Sequence, residues 1–187
     1  MDIRSQLLIE HSRANSELIA DYIGSDPERI EELLRLFFAN ENLVTQRSAY
    51  VFLIISDRNR ALFLPHLKNL VSNLANNIHD AVKRNTLRLL QELPVPENLE
   101  GTLANVCFDY LQSNKEPVAI KVFAMTILAN LATKYPDLKN ELKIIIDDLM
   151  QNGSSGIRSR GKKLLLALDK TSTHSSSPYQ ENIKKYK

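Results

Sequence analysis

A chain of 187 residues, 43% of them hydrophobic, is long enough to bury one continuous core and short enough to be a single domain. Its 24 Lys+Arg against 22 Asp+Glu leave a formal charge of +2, too balanced for a surface built to neutralise phosphates, so nucleic acid is not the expected partner. The lone Cys107 excludes an internal disulfide and no basic-then-apolar leader opens the chain, which points to a reducing cytoplasm; the longest apolar run, Ala49 to Ile55, falls far short of the roughly 20 residues that cross a membrane.

In chain order, residues 2–23 have a helical pattern that fits no later segment, so residues 1–25 are expected to form an N-terminal cap helix with a polar outer face; it contains His11-Ser12-Arg13-Ala14-Asn15. Asp26-Pro27 reads as an N-cap and first helical residue, and Ile30, Leu34 and Phe37 follow it as an apolar stripe, giving a unit over 26–40. Three longer units are then expected at 41–76, 77–113 and 114–152, with breaks at Asp57-Arg58-Asn59, Asn76-Asn77, Pro94-Val95-Pro96, Asn114 to Pro117 and Tyr135-Pro136-Asp137. A last helix over 154–170 caps the array, after Asn152-Gly153-Ser154-Ser155. Thr171 to Lys187, with three consecutive serines and no apolar periodicity, is expected to be a disordered tail outside a single domain of residues 1–170.

The units repeat one another. Val44, Val82, Ile120 and Ile157 recur at spacings of 38, 38 and 37 residues. Four positions later stand the small Ser48, Thr86, Ala124 and Gly161, eight later Phe52, Leu90, Leu128 and Leu165, and eleven later Ile55, Leu93, Leu131 and Leu168. These offsets share one helical face, and a small residue on it lets a neighbouring helix come close. Each second half repeats too: Phe63, Leu67, Leu70 and Leu74 are answered by Leu99, Leu103, Val106 and Tyr110, then by Leu138, Leu142, Ile145 and Leu149. Each unit is an antiparallel helix pair.

Ile120-Lys121, Ala124, Leu128 and Leu131 resemble the first-helix pattern of HEAT repeats, Val-Arg, Ala, Leu and Leu; Val82-Lys83 and Ile157-Arg158 match at the same place. Val44-Thr45 departs from it, with Arg47 one turn on, so a ladder of basic residues is in doubt there. The resemblance covers about Asp26 to Asp169, with armadillo-like stacking its near neighbour. It implies an all-α fold, a right-handed α-α superhelix (solenoid) of about four helical hairpins plus a final capping helix, with the second helices lining the concave face. By length and by His11 to Asn15 the chain also resembles short bacterial HEAT-like proteins sometimes labelled adenylosuccinate lyase.

Residues that do chemistry are sparse. His11, His66, His79 and His174 fall in separate segments, and Cys107 beside Val106 reads as a small buried hydrophobe. No Gly-x-Ser-x-Gly, Walker-type loop or Gly-x-Gly-x-x-Gly occurs. Gly153-Ser154-Ser155 is similar to the opening of the fumarase and adenylosuccinate lyase signature loop, but the continuation Gly156-Ile157-Arg158 lacks that family's Met-Pro, and a turn with an N-cap accounts for it. No catalytic residue, metal ligand or cofactor is assigned.

Two surfaces remain as candidates. Aligned second helices put Asn40, Asn73, Asp109 and Asp148 at one offset and Asn76, Gln112 and Gln151 three residues later, a polar ridge or else an ordinary solvated face. Arg158, Arg160, Lys162 and Lys163 form a basic patch for an anionic partner, or else a solvated terminal helix. Residues 1–40 hold eight acidic and four basic side chains and residues 153–187 two and eight, which also suits head-to-tail self-association. The expected function is a non-catalytic protein-interaction or scaffold module. The alternative, a HEAT-like enzyme of the alkylpurine DNA glycosylase type, is opposed by the lack of Trp and by an acidic row where a basic groove is needed; for a phycobilin lyase the chain carries no marker.

Overall fold

The computed structural model describes residues 1–170; the expected disordered tail, 171–187, lies outside the described residues. Among these residues every regular element is helical: α1 (Ile3–Ile9), α2 (Arg13–Ile23), α3 (Pro27–Phe38), α4 (Asn42–Arg58), a 3-10 helix (Arg60–His66), α5 (Leu67–Asn73), α6 (Asp80–Leu90), α7 (Glu97–Gln112), α8 (Val118–Lys134), α9 (Leu138–Asn152) and α10 (Ser155–Lys170). The chain divides into two compact units, Met1–Leu89 and the part from Leu90 onward.

In the first unit, α4 is the central helix, packed against α1, α2, α3 and the 3-10 helix. Its core is a run of rings: Phe37 stacks on Phe52 at 4.5 Å and 7°, and Phe52 meets Phe63 at 4.4 Å and 45°, all three fully buried. The N-terminal cap is two helices where one was expected. Ser12 is extended, and its hydroxyl accepts the Asn15 N–H at 3.0 Å, which starts a new helix instead of continuing the old one. Asp26 caps α3 through the N–H groups of Glu28 and Arg29, with Pro27 in the first turn as expected. The second helix of the 41–76 pair also begins differently, as a 3-10 turn that becomes α only at Leu67; Pro65 has no N–H to give an α-helical ladder. Phe63, Leu67, Leu70 and Leu74 are nonetheless all buried.

α6 is tied to α4: the Asn85 amide donates to the Ala49 carbonyl at 2.7 Å, and Arg88 holds both Asp57 oxygens at 3.0 Å. It stops at Leu90, six residues shorter than α4, because Pro94 disfavours helical backbone just before it. Leu93, beyond the helix end, is still fully buried.

In the second unit α8 is central, packed against α7, α9 and α10, and no residue from Ala119 to Thr133 is exposed. Its cover is aliphatic: Ile120, Ala124, Leu128 and Leu131 of α8 are buried together with Leu103, Cys107, Leu142 and Ile146 of its neighbours. The repeat's small positions Ser48, Thr86, Ala124 and Gly161 are all buried, and a Cβ on Gly161 would run into the Met150 side chain and come within 3.0 Å of Ile146. Five repeat positions depart: Leu99 on α7, Leu138, Ile145 and Leu149 on α9, and Leu165 on α10 are only half-buried.

Candidate interaction surface

The His11 to Asn15 segment is a joint. Asn15, 6% exposed, donates to the carbonyls of Gln6 and Glu10 at 3.0 and 3.1 Å and accepts from the Gln6 amide at 2.6 Å, so it ties the end of α1 to the start of α2. His11 stacks on Tyr50 of α4 at 6.1 Å. The residues that carry the likeness to the short bacterial proteins are thus engaged within the fold.

Basic residues near the starts of three first helices reach back to the ends of earlier helices. Arg47 donates to the Leu7 carbonyl at 2.6 Å, Lys121, 9% exposed, to Leu111 at 3.2 Å, and Arg158 to Gly153 at 2.5 Å. Each acceptor lies at or just beyond the C-terminal end of a helix, where carbonyls lack an intrahelical partner and a cation also meets the negative end of the dipole. Lys83 stands 4.0 Å from Asp80 on its own helix. Thr45 fills the same place in α4; it is buried and its hydroxyl has no partner among the described residues.

The seven ridge residues have unequal settings. Asn40 lies past the end of α3 at φ 56, the left-handed conformation in which Asn commonly ends a helix. Asn73 ends α5 half-buried, and its carbonyl oxygen accepts from the Asn76 amide at 3.3 Å. In the second unit Asp109 and Gln112 are exposed at the end of α7, and Asp148 and Gln151 are exposed near the end of α9. Carboxylates there oppose the helix dipole, at about 0.3–1 kcal/mol each. Helix stability does not account for Asp109 and Asp148.

The basic patch divides as well. Arg158 is used on the Gly153 carbonyl, and Arg160 donates to the Thr126 hydroxyl of α8 at 3.2 Å. Lys162 and Lys163 are exposed and form no ion pair among the described residues.

Two residues outside the sequence candidates complete the surface. Ile144 on α9 is 70% exposed and Leu166 on α10 is 63% exposed. At 100° per residue, Ile144 is the centre of a face shared with Asn140, Glu141, Asp147, Asp148 and Gln151, all exposed. Leu166 sits one turn after Lys162 and Lys163. Their signal was present in the sequence: both are large apolar residues that fall outside the buried offsets of their helices.

Other chemistry is thin among the described residues. Cys107 is fully buried and desolvation pushes its thiol far above the usual range. No cluster of three or more His, Cys, Asp or Glu is placed to hold a metal ion, and no helix is long and apolar enough to cross a membrane. Glu100, 5% exposed, accepts from Lys134 at 2.7 Å and from the Tyr135 hydroxyl at 2.6 Å, which joins α7 to the end of α8. A family model described as HEAT repeat domain matches residues 3–168. No curated protein and no solved structure matches the chain.

Proposed function

The chain belongs to the HEAT repeat domain family, matched over residues 3–168, and from that premise we propose that it is a non-catalytic protein-interaction module of the cytoplasm. The observation that carries this reading is the outer face of α9. A 70% exposed isoleucine at the middle of a ring of carboxylates and amides has the composition of a binding patch, apolar at the centre and polar at the rim. Asp148 and Gln151 of the ridge belong to that rim, and Asp109 and Gln112 extend the same chemistry onto α7.

The glycosylase alternative draws no support from this face. Glu141, Asp147 and Asp148 repel a phosphate backbone, which a nucleic-acid groove must attract.

Affinity capture from the native cell, comparing wild type with Ile144→Ala/Asp148→Ala, tests the reading. Partners that vanish with the double change support it. Partners retained in full, or alkylated-base release at low salt, sink it.

A further inference from the structure

Helices α9 and α10 form an antiparallel hairpin whose register can be read from two contacts. Lys143 Nζ meets Asp169 Oδ1 at 2.5 Å, and Met150 lies against Gly161. Carried along both helices, these set Ile144 level with Leu166, Asp147 with Lys163 and Asp148 with Lys162, to within about 2 Å at a rise of roughly 1.5 Å per residue. Both helices pack on α8 through their buried stripes, Leu142 and Ile146 on α9 and Ile157, Gly161, Leu164 and Leu168 on α10. The opposite stripes are exposed on both helices. They carry Asp147 and Asp148 on α9, Lys162 and Lys163 on α10, and one exposed apolar residue on each helix, Ile144 and Leu166, level along the axes.

That arrangement is self-complementary. A second copy rotated about a two-fold axis parallel to the helices lays its α9 over this α10 and its α10 over this α9, without shifting either helix along its length. Ile144 then meets the partner's Leu166, while Asp147 and Asp148 meet the partner's Lys163 and the partner's Lys162. Symmetry makes every contact twice. None of Asp147, Asp148, Lys162 and Lys163 forms an ion pair within the described residues, so the pairing takes no charge from an existing bridge.

We infer that the chain forms a two-fold homodimer through the outer layer of the α9–α10 hairpin. This deepens the interaction-module reading by naming the partner as a second copy. Helices of 15 and 16 residues lying side by side offer a footprint on the order of 500 Å² per copy, below the roughly 800 Å² of a standard stable interface. The dimer is accordingly weak, with a Kd in the tens of micromolar or above, and sensitive to salt because its charges stay at the rim. Head-to-tail joining of the acidic N-terminal unit to the basic helix would instead be heterologous and open-ended.

Sedimentation velocity on the full chain, up to about 0.5 mM and at about 50 mM and 500 mM salt, tests the inference. Wild type should form dimers and nothing larger, with the dimer fraction falling at the higher salt. Asp147→Lys/Asp148→Lys leaves the pairing residues of both helices basic and Lys162→Glu/Lys163→Glu leaves them acidic, so each alone should be monomeric. An equimolar mixture of the two should dimerise at least as well as wild type, which also shows that both variants are folded. A monomeric wild type overturns the dimer, whether the layer is covered by residues 171–187 or by another protein; so do open-ended oligomers, dimerisation of either variant alone, and a mixture that stays monomeric. A monomeric wild type whose captured partners still depend on Ile144 and Asp148 would leave the interaction-module reading standing.

Discussion

Helices α4 and α8 hold the same place in the repeat, and each is wrapped by its neighbours, yet the two are buried in different chemistry. Around α4 the contacts are aromatic, Phe37 on Phe52 on Phe63, and the surrounding helices are tied by side chains to backbone carbonyls, as Arg47 is to Leu7 and Asn85 to Ala49. Around α8 the contacts are aliphatic; the carbonyl ties recur there, Lys121 to Leu111 and Asn130 to Gln91, and the Glu100 carboxylate shared by Lys134 and Tyr135 is added to them. The repeat thus specifies where a residue is buried and roughly how large it is, while the packing partner is chosen locally. The same offset can hold Phe52 in one unit and Leu128 in the next because the opposing helix supplies a ring in the first case and branched chains in the second.

The largest test of this contrast is Phe52→Ala, which deletes the middle ring of the stack and should cost about 3–5 kcal/mol, with Leu128→Ala next at about 2–5 kcal/mol. Hydrogen exchange should quicken mainly up to Leu89 for the first and mainly beyond Leu90 for the second; equal quickening in both halves would erase the distinction between units. Glu100→Ala removes the carboxylate that Lys134 and Tyr135 share and should lower stability by less than either core truncation, measured by denaturant unfolding. A loss no larger than an ordinary surface change would show that this tie is not what secures α7 to α8. Gly161→Ala asks Met150 and Ile146 to yield and should cost about 1 kcal/mol, at the low end of overpacking because Met150 is pliable. The smallest effect is at α1. The hydrogen bonds and charge of Arg4 hold the Glu41 carboxyl below its ordinary 4.5. A carboxyl with a depressed folded pKa stabilises above its unfolded value and loses that contribution as pH falls through the folded one. The amide resonances of Ile3–Ile9 should therefore show weakened docking of α1 below about pH 4.5, a step that Glu41→Gln should reduce to the part contributed by the Asp2 cap of α1, whose carboxyl the Ser5 N–H also holds low.

Periodicity made most of the fold legible. Val44, Val82, Ile120 and Ile157 are all buried, as are the four small residues one turn on, because burial on one helical face is a local property that spacing records. The departures trace to backbone chemistry that apolar spacing does not weigh: Ser12 splits the N-terminal helix, Pro65 turns the start of a second helix into 3-10, and Pro94 ends α6 before Leu93. Surface reasoning reached only part of the candidate site. Alignment of the second helices reaches Asp148 and Gln151, and the basic cluster reaches Lys162 and Lys163, whereas Arg158 and Arg160 serve a neighbouring carbonyl and hydroxyl. Ile144 and Leu166 were missed because the offsets were used to find what is buried, and a residue that breaks them was not asked why. That the two stand level depends on hairpin register, which Lys143, Asp169, Met150 and Gly161 set in three dimensions.

The wrapping of α8 also orders events during synthesis. When Lys134 leaves the ribosome only α7 is available to cover the apolar surface of α8, and α9 and α10 arrive with the next stretch of chain, ending at Lys170. At about 5–20 residues per second that interval lasts on the order of seconds, long compared with helix formation and collapse. The apolar surface of α8 thus waits longer for its cover than that of α4, whose α1, α2 and α3 neighbours precede it, and slow translation beyond Lys134 should lower the yield of soluble protein more than an equal delay after α10 is complete.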